Sequence, residues 1–316
     1  MPEQRPAEAS LRTAVVAIAI NLAITLAKGF AALLTGSPAL WAETAHSLAD
    51  SGNEVLLFVG LRRSVRVADA RHPLGYGQER WFWTFLAALG IFVVGGVLSV
   101  NEGVQALRHP HPVGSFWIGV GVLLVSMVLE GVSWRTARAQ LREEARARGR
   151  SLAEHLQRAS DPTAPTVFLE DSAALVGLGM ALLALVLHQL TGWAAWDAGA
   201  SIAIGLLLVV IAYLIARRSK GLLIDESAPP DVLDRLRERI AGEPWVAAVV
   251  ALTAVFIGPR RLLVTARIAP TATAVAGSAH DLVARAAALR RELLSLEVIG
   301  EAEVALSLAT LDTGDG

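Results

Sequence analysis

A histidine and an aspartate stand four residues apart, at His46 and Asp50, inside an apolar segment long enough to cross a bilayer. Residues at this spacing share one face of an α-helix, so the two side chains could hold one cation between them. An Asp at membrane depth costs about 2.5 kcal/mol or more, and such residues usually mark an ion pathway. An imidazole beside a carboxylate suits Zn²⁺, Fe²⁺ or Mn²⁺ better than Na⁺ or K⁺. The pair therefore predicts a transition-metal site within the membrane.

The composition narrows the classes of protein to which this chain can belong. Of its 316 residues, 54% are hydrophobic, the formal net charge is −1, and there is no cysteine. The high apolar fraction is typical of a membrane protein, and the net charge gives no support for a nucleic-acid partner. The absence of cysteine excludes disulfides and thiolate metal sites. The first apolar run is too long for the core of a signal peptide, so we expect it to be a true span.

Six apolar segments have about the 20 residues that a membrane-spanning helix needs. They run near 12–34, 39–61, 82–106, 114–134, 166–188 and 195–216. Arginines are abundant in the second and fourth connections and absent from the first and fifth, and basic residues also follow the sixth segment. Basic residues concentrate on the cytoplasmic side, so both termini are predicted to be cytoplasmic. The fourth connection, 134–159, is predicted to be helical, and we expect a solvated helical hairpin there rather than a surface that binds anionic lipid or nucleic acid.

After Lys220 the pattern changes to that of a small soluble domain. Apolar residues at helical and alternating spacing predict helix–strand–strand–helix–strand, with a hairpin turn at 258–260 and Ser278 capping the second helix. The predicted elements are a helix at 231–241, strands at 246–257 and 261–268, a helix from 278 to 294, and a strand at 303–308. The prediction is thus an α-helical membrane domain, 1–220, followed by a cytoplasmic α+β domain, 221–316.

Further candidate ligands lie on the fifth span and in the loop after the second. Glu170 and Asp171 would face the second span if two helices present carboxylates inward, as in bundle metal sites. Asn53 continues the stripe of His46 and Asp50. In the loop, Asp69 and His72 could form a second, surface metal site, or they could simply hold a turn in place.

These motifs resemble those of the cation diffusion facilitator family of divalent-metal transporters, over residues 13–311. The matching segments are His46 to Asp50, His72-Pro73-Leu74-Gly75-Tyr76-Gly77, Glu170-Asp171-Ser172-Ala173-Ala174 and Leu222-Leu223-Ile224-Asp225-Glu226. Within the family, the chain is most similar to a zinc-transporter-like branch whose fifth span carries Glu-Asp. The resemblance implies six-helix bundles that form a homodimer, ferredoxin-like cytoplasmic domains, and proton-coupled metal export through a tetrahedral site on spans two and five.

The same resemblance implies a set of metal ligands. His46, Asp50 and Asp171 correspond to family ligands, but Val167 stands where many members have a further histidine. Glu170 is the candidate fourth ligand, although neighbours on a helix point about 100° apart. Such an oxygen-rich site would shift the preference from Zn²⁺ towards Mn²⁺ or Fe²⁺. Co²⁺ and Cd²⁺ are further candidate substrates. At about 1.5 Å per residue, Asp50 lies about 18 Å and Asp171 about 25 Å from the outer face, a difference that we attribute to the predicted boundaries.

Other polar residues in the chain have simpler explanations. We expect Asp197 to cap the sixth span, Glu102 and Glu130 to make interhelical contacts, and the remaining histidines to be solvated: His109, His111, His155, His188 and His280.

Three functions follow from these patterns. The first is proton-coupled efflux of a divalent metal, with Zn²⁺ as the expected substrate, by an integral protein of a bacterial inner membrane. The second is a metal-sensing or scaffold protein that has lost transport. The third is an intramembrane metal-dependent hydrolase, for which the chain carries no His-Glu-x-x-His or Gly-x-Ser-x-Gly motif, so we do not expect an enzyme.

Overall fold

The computed structural model describes residues 21–109, 115–147, 149–159, 161–296 and 298–307. The chain divides into two compact units. One contains the described residues up to Arg62 and the stretch from Trp81 to Lys220. The other contains Arg63–Arg80 and the described residues from Gly221 onward. Residues 12–20 of the first predicted span, and His111, lie outside the described residues.

The first unit is helical. Its helices are α1 (Asn21–Thr35), α2 (Pro38–Ser64), α3 (Glu79–Arg108), α4 (Phe116–Ala147), α5 (Leu152–Arg158), α6 (Thr163–Thr191) and α7 (Ala195–Leu223). One end of each of α2, α3 and α7 extends by a few residues into the part of the chain assigned to the second unit. Four of them, α3, α4, α6 and α7, are long and apolar enough to cross a membrane. This confirms four of the six predicted spans and a helical membrane protein. That α1 and α2 also cross the membrane stays a prediction, because α1 is described only from Asn21 to Thr35 and polar residues lower the hydropathy of α2.

Small residues let the membrane helices approach closely. A Cβ added to Gly103 on α3 would lie 2.6 Å from Cγ1 of Ile202 on α7, and one on Gly205 would lie 2.8 Å from the carbonyl oxygen of Gly96. Gly96 belongs to a π-helical segment, Ile91–Val97, in the middle of α3. The glycines of α3 and α7 thus serve close packing, as small residues commonly do between membrane helices. The buried core nearby includes apolar residues of five helices: Leu40, Ile91, Leu123, Leu178, Ile204 and Leu208.

The fourth connection is helical but broken. Helix α4 ends at Ala147, Gly149 has a φ of +64°, and α5 begins after Ser151, whose hydroxyl accepts a hydrogen bond from the Glu154 N–H at 3.2 Å. The expectation that His155 is solvated is wrong. Its side chain is buried, with Nε2 3.4 Å from Oε2 of Glu144, because α5 folds back on α4.

The second unit contains a small sheet with helices. Its elements are α8 (Pro230–Ala241), β1 (Val246–Gly258), β2 (Arg261–Pro270), α9 (Ala272–Val275), α10 (Ala279–Leu294) and β3 (Ile299–Leu306). The strand order is β1-β2-β3, with β1 and β2 antiparallel and β2 and β3 parallel. Helix α10 provides the crossover that a parallel pair requires, and Ser278 caps it by accepting from the His280 N–H at 3.1 Å.

The sequence predicted this order of elements except for the short helix α9, and β3 begins at Ile299, earlier than expected. These described elements form a small α+β unit, and its ferredoxin-like classification stays a prediction.

The loop Arg63–Arg80 belongs to this second unit, whereas the sequence assigned it to the membrane domain. A Cβ on Gly77 would lie 2.5 Å from the carbonyl oxygen of Ile257 and 2.7 Å from Cα of Gly258. The loop backbone therefore packs directly against the β1–β2 turn, and only glycine fits at position 77. Such an approach between distant backbone segments has no hydropathy signal.

Candidate metal site

The stripe of polar residues on α2 is the centre of the candidate site. Nε2 of His46 lies 3.2 Å from Oδ2 of Asp50, one helical turn away. His46 is buried and the Asp50 side chain is 18% exposed. The two atoms are close but do not align as a hydrogen bond, and both ring nitrogens and Oδ1 of Asp50 are buried without a hydrogen-bond partner. Buried polar atoms are normally satisfied, so this pair has the capacity to bind a cation or water.

Glu170 on α6 faces this stripe. The amide nitrogen of Asn53 donates to both carboxylate oxygens of Glu170, each at 2.5 Å. Both residues are buried. Glu170 thus lies level with Asn53, about one turn beyond Asp50 along α2.

Asp171 points in another direction. Its Oδ2 accepts a hydrogen bond from the Ser133 hydroxyl of α4 at 2.7 Å. The adjacent residues repeat this contact, since Nε1 of Trp134 donates to the Ser172 hydroxyl at 2.9 Å. Glu170 therefore faces α2 while Asp171 faces α4, as the angle between helix neighbours requires.

The four candidate ligands, His46, Asp50, Glu170 and Asp171, do not form one coordination sphere in this structure. Among the described residues, no group of three or more His, Asp or Glu side chains is placed to hold one metal ion. Asp50 nevertheless lies within electrostatic range of Glu170, Asp171 and Glu130. The structure thus brings His46 and Asp50 into contact and collects carboxylates around them, but it does not join Asp171 to the pair.

The predicted difference in depth between Asp50 and Asp171 depends on where the two helices end. Pro38 and His188 line one cavity, so the start of α2 and the end of α6 lie at the same side of the unit. From these ends, Pro38 and Thr191, Asp50 lies about 18 Å and Asp171 about 30 Å away at about 1.5 Å per residue. Asn53 and Glu170 nevertheless contact each other across the two helices, so α6 extends further than α2 at that side and the two carboxylates lie within about one turn of the same level.

A buried ion pair beside the site was missed from the sequence. Nζ of Lys28 on α1 lies 3.2 Å from Oε2 of Glu43 and donates to the Ser47 hydroxyl at 2.8 Å. The side chains of Lys28 and Glu43 are both 0% exposed. Glu43 is one turn before His46 on α2. The signal was a lone lysine within the first apolar segment, since charges at that depth are rarely unpaired.

The Asp69–His72 loop uses its carboxylate to organise itself. Oδ1 of Asp69 accepts the N–H groups of Arg71 at 2.9 Å and His72 at 2.8 Å, and Oδ2 accepts the Tyr76 hydroxyl at 2.7 Å. The Tyr76 hydrogen bond, followed by that from His72, lowers the pKa of Asp69 below its usual value. Nδ1 of His72 is 3.7 Å from Oδ1 of Asp69, and the Arg66 guanidinium covers the Tyr76 ring at 4.3 Å. This geometry favours the turn over the surface metal site, which stays a prediction.

The family is decided by comparison with known proteins. Residues 14–224, more than half of the chain, match the model of the cation efflux transmembrane domain. The chain belongs to the cation efflux family. This confirms the resemblance to the cation diffusion facilitators, a family of transporters rather than enzymes, and it confirms an integral membrane protein.

Named relatives come from animals, plants and bacteria. The human protein named proton-coupled zinc antiporter SLC30A9, mitochondrial, is 34% identical over 248 residues, which are 78% of this chain and 44% of that protein. Metal tolerance protein C4 of Arabidopsis thaliana is 32% identical over 71% of this chain and 49% of its own length. The cation-efflux pump FieF of Salmonella typhi is 25% identical over 80% of this chain and 78% of its own length. The match thus spans less than half of the first two relatives.

Proposed function

We propose that this cation efflux protein exports a divalent metal ion, Zn²⁺ first among the candidates, in exchange for protons. The observation that carries the proposal is the buried His46–Asp50 pair, whose nitrogen and oxygen atoms lack hydrogen-bond partners. The name of the human relative, a proton-coupled zinc antiporter, supports both the metal and the coupling.

Protons and metal would compete for the same atoms. A histidine–carboxylate site must lose protons before it binds a metal ion, so a proton that reaches His46 or Asp50 promotes release. Alternating exposure of the pair to the two sides of the membrane then converts a proton gradient into metal export. The single imidazole favours Zn²⁺, Co²⁺ or Cd²⁺, and an excess of carboxylates favours Mn²⁺ or Fe²⁺.

The remaining ligands would join when α6 moves relative to α2. In the structure Asn53 holds Glu170 about one turn away from Asp50, and Ser133 holds Asp171 against α4. A metal ion on His46 and Asp50 offers these carboxylates a stronger partner than an amide or a hydroxyl. We therefore assign Asp171 and Glu170 to the loaded state, with Asn53 and Ser133 as their partners in the metal-free state.

The proposal also includes the membrane topology and the assembly of the protein. The arginine-rich connections support six spans with both termini in the cytoplasm. The second unit would then be a cytoplasmic ferredoxin-like domain through which two copies form a homodimer. An alanine- and arginine-rich composition favours a bacterial inner membrane, where the protein contacts lipid, metal ions and protons.

Replacing Asp50 with alanine tests the site. Asp50→Ala should abolish metal uptake into inverted vesicles, because it removes a ligand without changing the packing of the helices. Asp281→Ala, at an exposed position on α10, is the matched control and should transport normally. Normal uptake by Asp50→Ala would reject the site.

Glu170→Gln tests the fourth ligand separately. We expect partial loss of metal affinity, and unchanged affinity would restrict Glu170 to its contact with Asn53. The metal-sensing or scaffold alternative draws on Val167, which stands where many family members have a histidine. It predicts metal binding without any movement of metal across the vesicle membrane.

A further inference from the structure

A second cluster of metal-ligating side chains lies where several helix ends of the first unit meet. These ends surround a cavity of about 310 Å³. Its polar lining consists of Glu102, Gln105 and His109 from the end of α3, His188 from the last turn of α6, and Asp197 from the first turn of α7. From the sequence, His109 and His188 were expected to be solvated, whereas the structure brings both to one cavity.

Two of the lining residues have buried atoms without partners. Asp197 is 1% exposed, and its Oδ1 accepts a hydrogen bond from the Ser37 hydroxyl at 2.9 Å. Its other oxygen, Oδ2, is buried with no hydrogen-bond partner, and so is Nδ1 of His188. His188 lies within electrostatic range of Asp197. The cavity is therefore lined by an imidazole nitrogen and a carboxylate oxygen that are both free to bind.

A structural role explains only part of this arrangement. Ser37 caps α2 by accepting from the Leu40 N–H at 3.2 Å, and Asp197 orients that hydroxyl and also interacts with the Ala39 N–H in the same first turn. This accounts for Oδ1 of Asp197. It leaves Oδ2 and the imidazole of His188 without a function, although burying unsatisfied polar groups is costly.

The charges of the cavity select a cation. Its lining contains Glu102 and Asp197, and no lysine or arginine is among the described residues that line it. His188 and His109 lie near the carbonyl ends of α6 and α3, where the helix dipole is negative. Imidazole and carboxylate together are ligands for first-row divalent metals.

We infer that this cavity is a second binding site for a divalent metal ion, separate from His46 and Asp50. His188 and Asp197 supply the protein ligands, and His109 and Glu102 lie in the same cavity to assist them. No three described side chains are already placed to hold one metal ion, so water completes the coordination shell. The cavity is large enough for several waters, each of which takes about 30 Å³ in the liquid.

Such a partly hydrated site exchanges its ion readily. Under the proposed topology the cavity opens on the side away from the cytoplasm, so it would receive the exported ion after release. That role rests on the proposed function. The binding itself does not, and it can be tested without transport.

The experiment titrates Co²⁺ and Zn²⁺ into the full chain in lipid nanodiscs, in an Asp50→Ala background that disables the first site. We expect this variant to retain one ion per chain, with Co²⁺ giving the visible absorption of a nitrogen-ligated ion. Adding His188→Ala should weaken binding at least tenfold and remove that absorption. Adding Asp197→Asn should also weaken binding, while its amide oxygen still accepts from Ser37. The matched control, His280→Ala, removes an exposed histidine of the second unit and should change nothing.

Two outcomes would overturn the inference: an Asp50→Ala protein that retains no metal, or retained metal that is indifferent to both His188→Ala and Asp197→Asn. If Asp197→Asn fails to fold, His188→Ala decides, since its ring makes no hydrogen bond through Nδ1. A chain that binds at this cavity but moves no metal would reject the proposed function and leave the second site standing.

Discussion

The buried ion pair between α1 and α2 gives a prediction for the Lys28→Met variant. This substitution keeps the length of the side chain and removes the charge that lies 3.2 Å from Oε2 of Glu43. It also removes the donor to the Ser47 hydroxyl. Glu43 would then stay fully buried with its carboxylate unpaired.

The expected effect is large because neither partner is exposed to solvent. At 3.2 Å and an effective dielectric constant of about 20, the Coulomb attraction between unit charges is about 5 kcal/mol. Removal of one partner from a buried pair typically costs about 3–5 kcal/mol, because the other charge is left uncompensated. We therefore expect Lys28→Met to destabilise the protein by about 3–5 kcal/mol.

The double variant Lys28→Met/Glu43→Met is the matched control. It replaces both charges with apolar side chains of similar length, and such replacements are often neutral or stabilising. Unfolding in mixed micelles, followed by tryptophan fluorescence, measures the free energy of unfolding of each variant. The explanation would be refuted if Lys28→Met were as stable as the wild type, or if the double variant were as unstable as Lys28→Met.

The second unit supplies two further predictions. Gly77→Ala should destabilise the packing of its loop against the turn at Gly258 by about 1–3 kcal/mol, because a Cβ there overlaps backbone atoms. Faster tryptic cleavage of the loop would show this destabilisation. The control is Gly242→Ala, whose added Cβ would lie 3.4 Å from its nearest neighbour, so this variant should be cleaved at the wild-type rate. Equal cleavage rates for the wild type, Gly77→Ala and Gly242→Ala would contradict the contact between Gly77 and the turn. Tyr76→Phe should raise the pKa of Asp69 towards its usual value, because it removes the hydrogen bond that lowers it most. The lowered pKa stabilises the folded loop above the ordinary pKa of Asp69, and this stability is lost as pH falls through the lowered value. In Tyr76→Phe the stabilisation should be smaller and its loss complete at a higher pH. Carboxyl-carbon NMR measures the pKa, and an unshifted titration would refute the assignment.

Hydropathy and periodicity predicted most of the architecture. Helices α3, α4, α6 and α7 are continuous apolar segments, so their composition alone identifies them. The elements of the second unit follow from alternation and from local capping by Ser278. These features depend on neighbours in sequence, and a sequence records them directly.

The candidate site was only partly predictable. The contact of His46 with Asp50 lies within one helix and follows from its period. The partners of Glu170 and Asp171 depend on how α6 lies between α2 and α4, and no spacing rule selects Asn53 or Ser133 for them. The cavity that contains His188 and Asp197 is likewise formed by helix ends that are distant in sequence.

Counting protons and zinc together tests the central claim most directly. The protein would be reconstituted in liposomes that contain a zinc indicator and a pH indicator. A zinc gradient should drive Zn²⁺ across the membrane with protons moving in the opposite direction, and Asp50→Ala should move neither. His46→Asp should shift the preference from Zn²⁺ towards Mn²⁺ or Fe²⁺, because it replaces a nitrogen ligand with oxygen. Zinc flux without proton counterflow, or equal flux by wild type and Asp50→Ala, would contradict a proton-coupled site at His46 and Asp50.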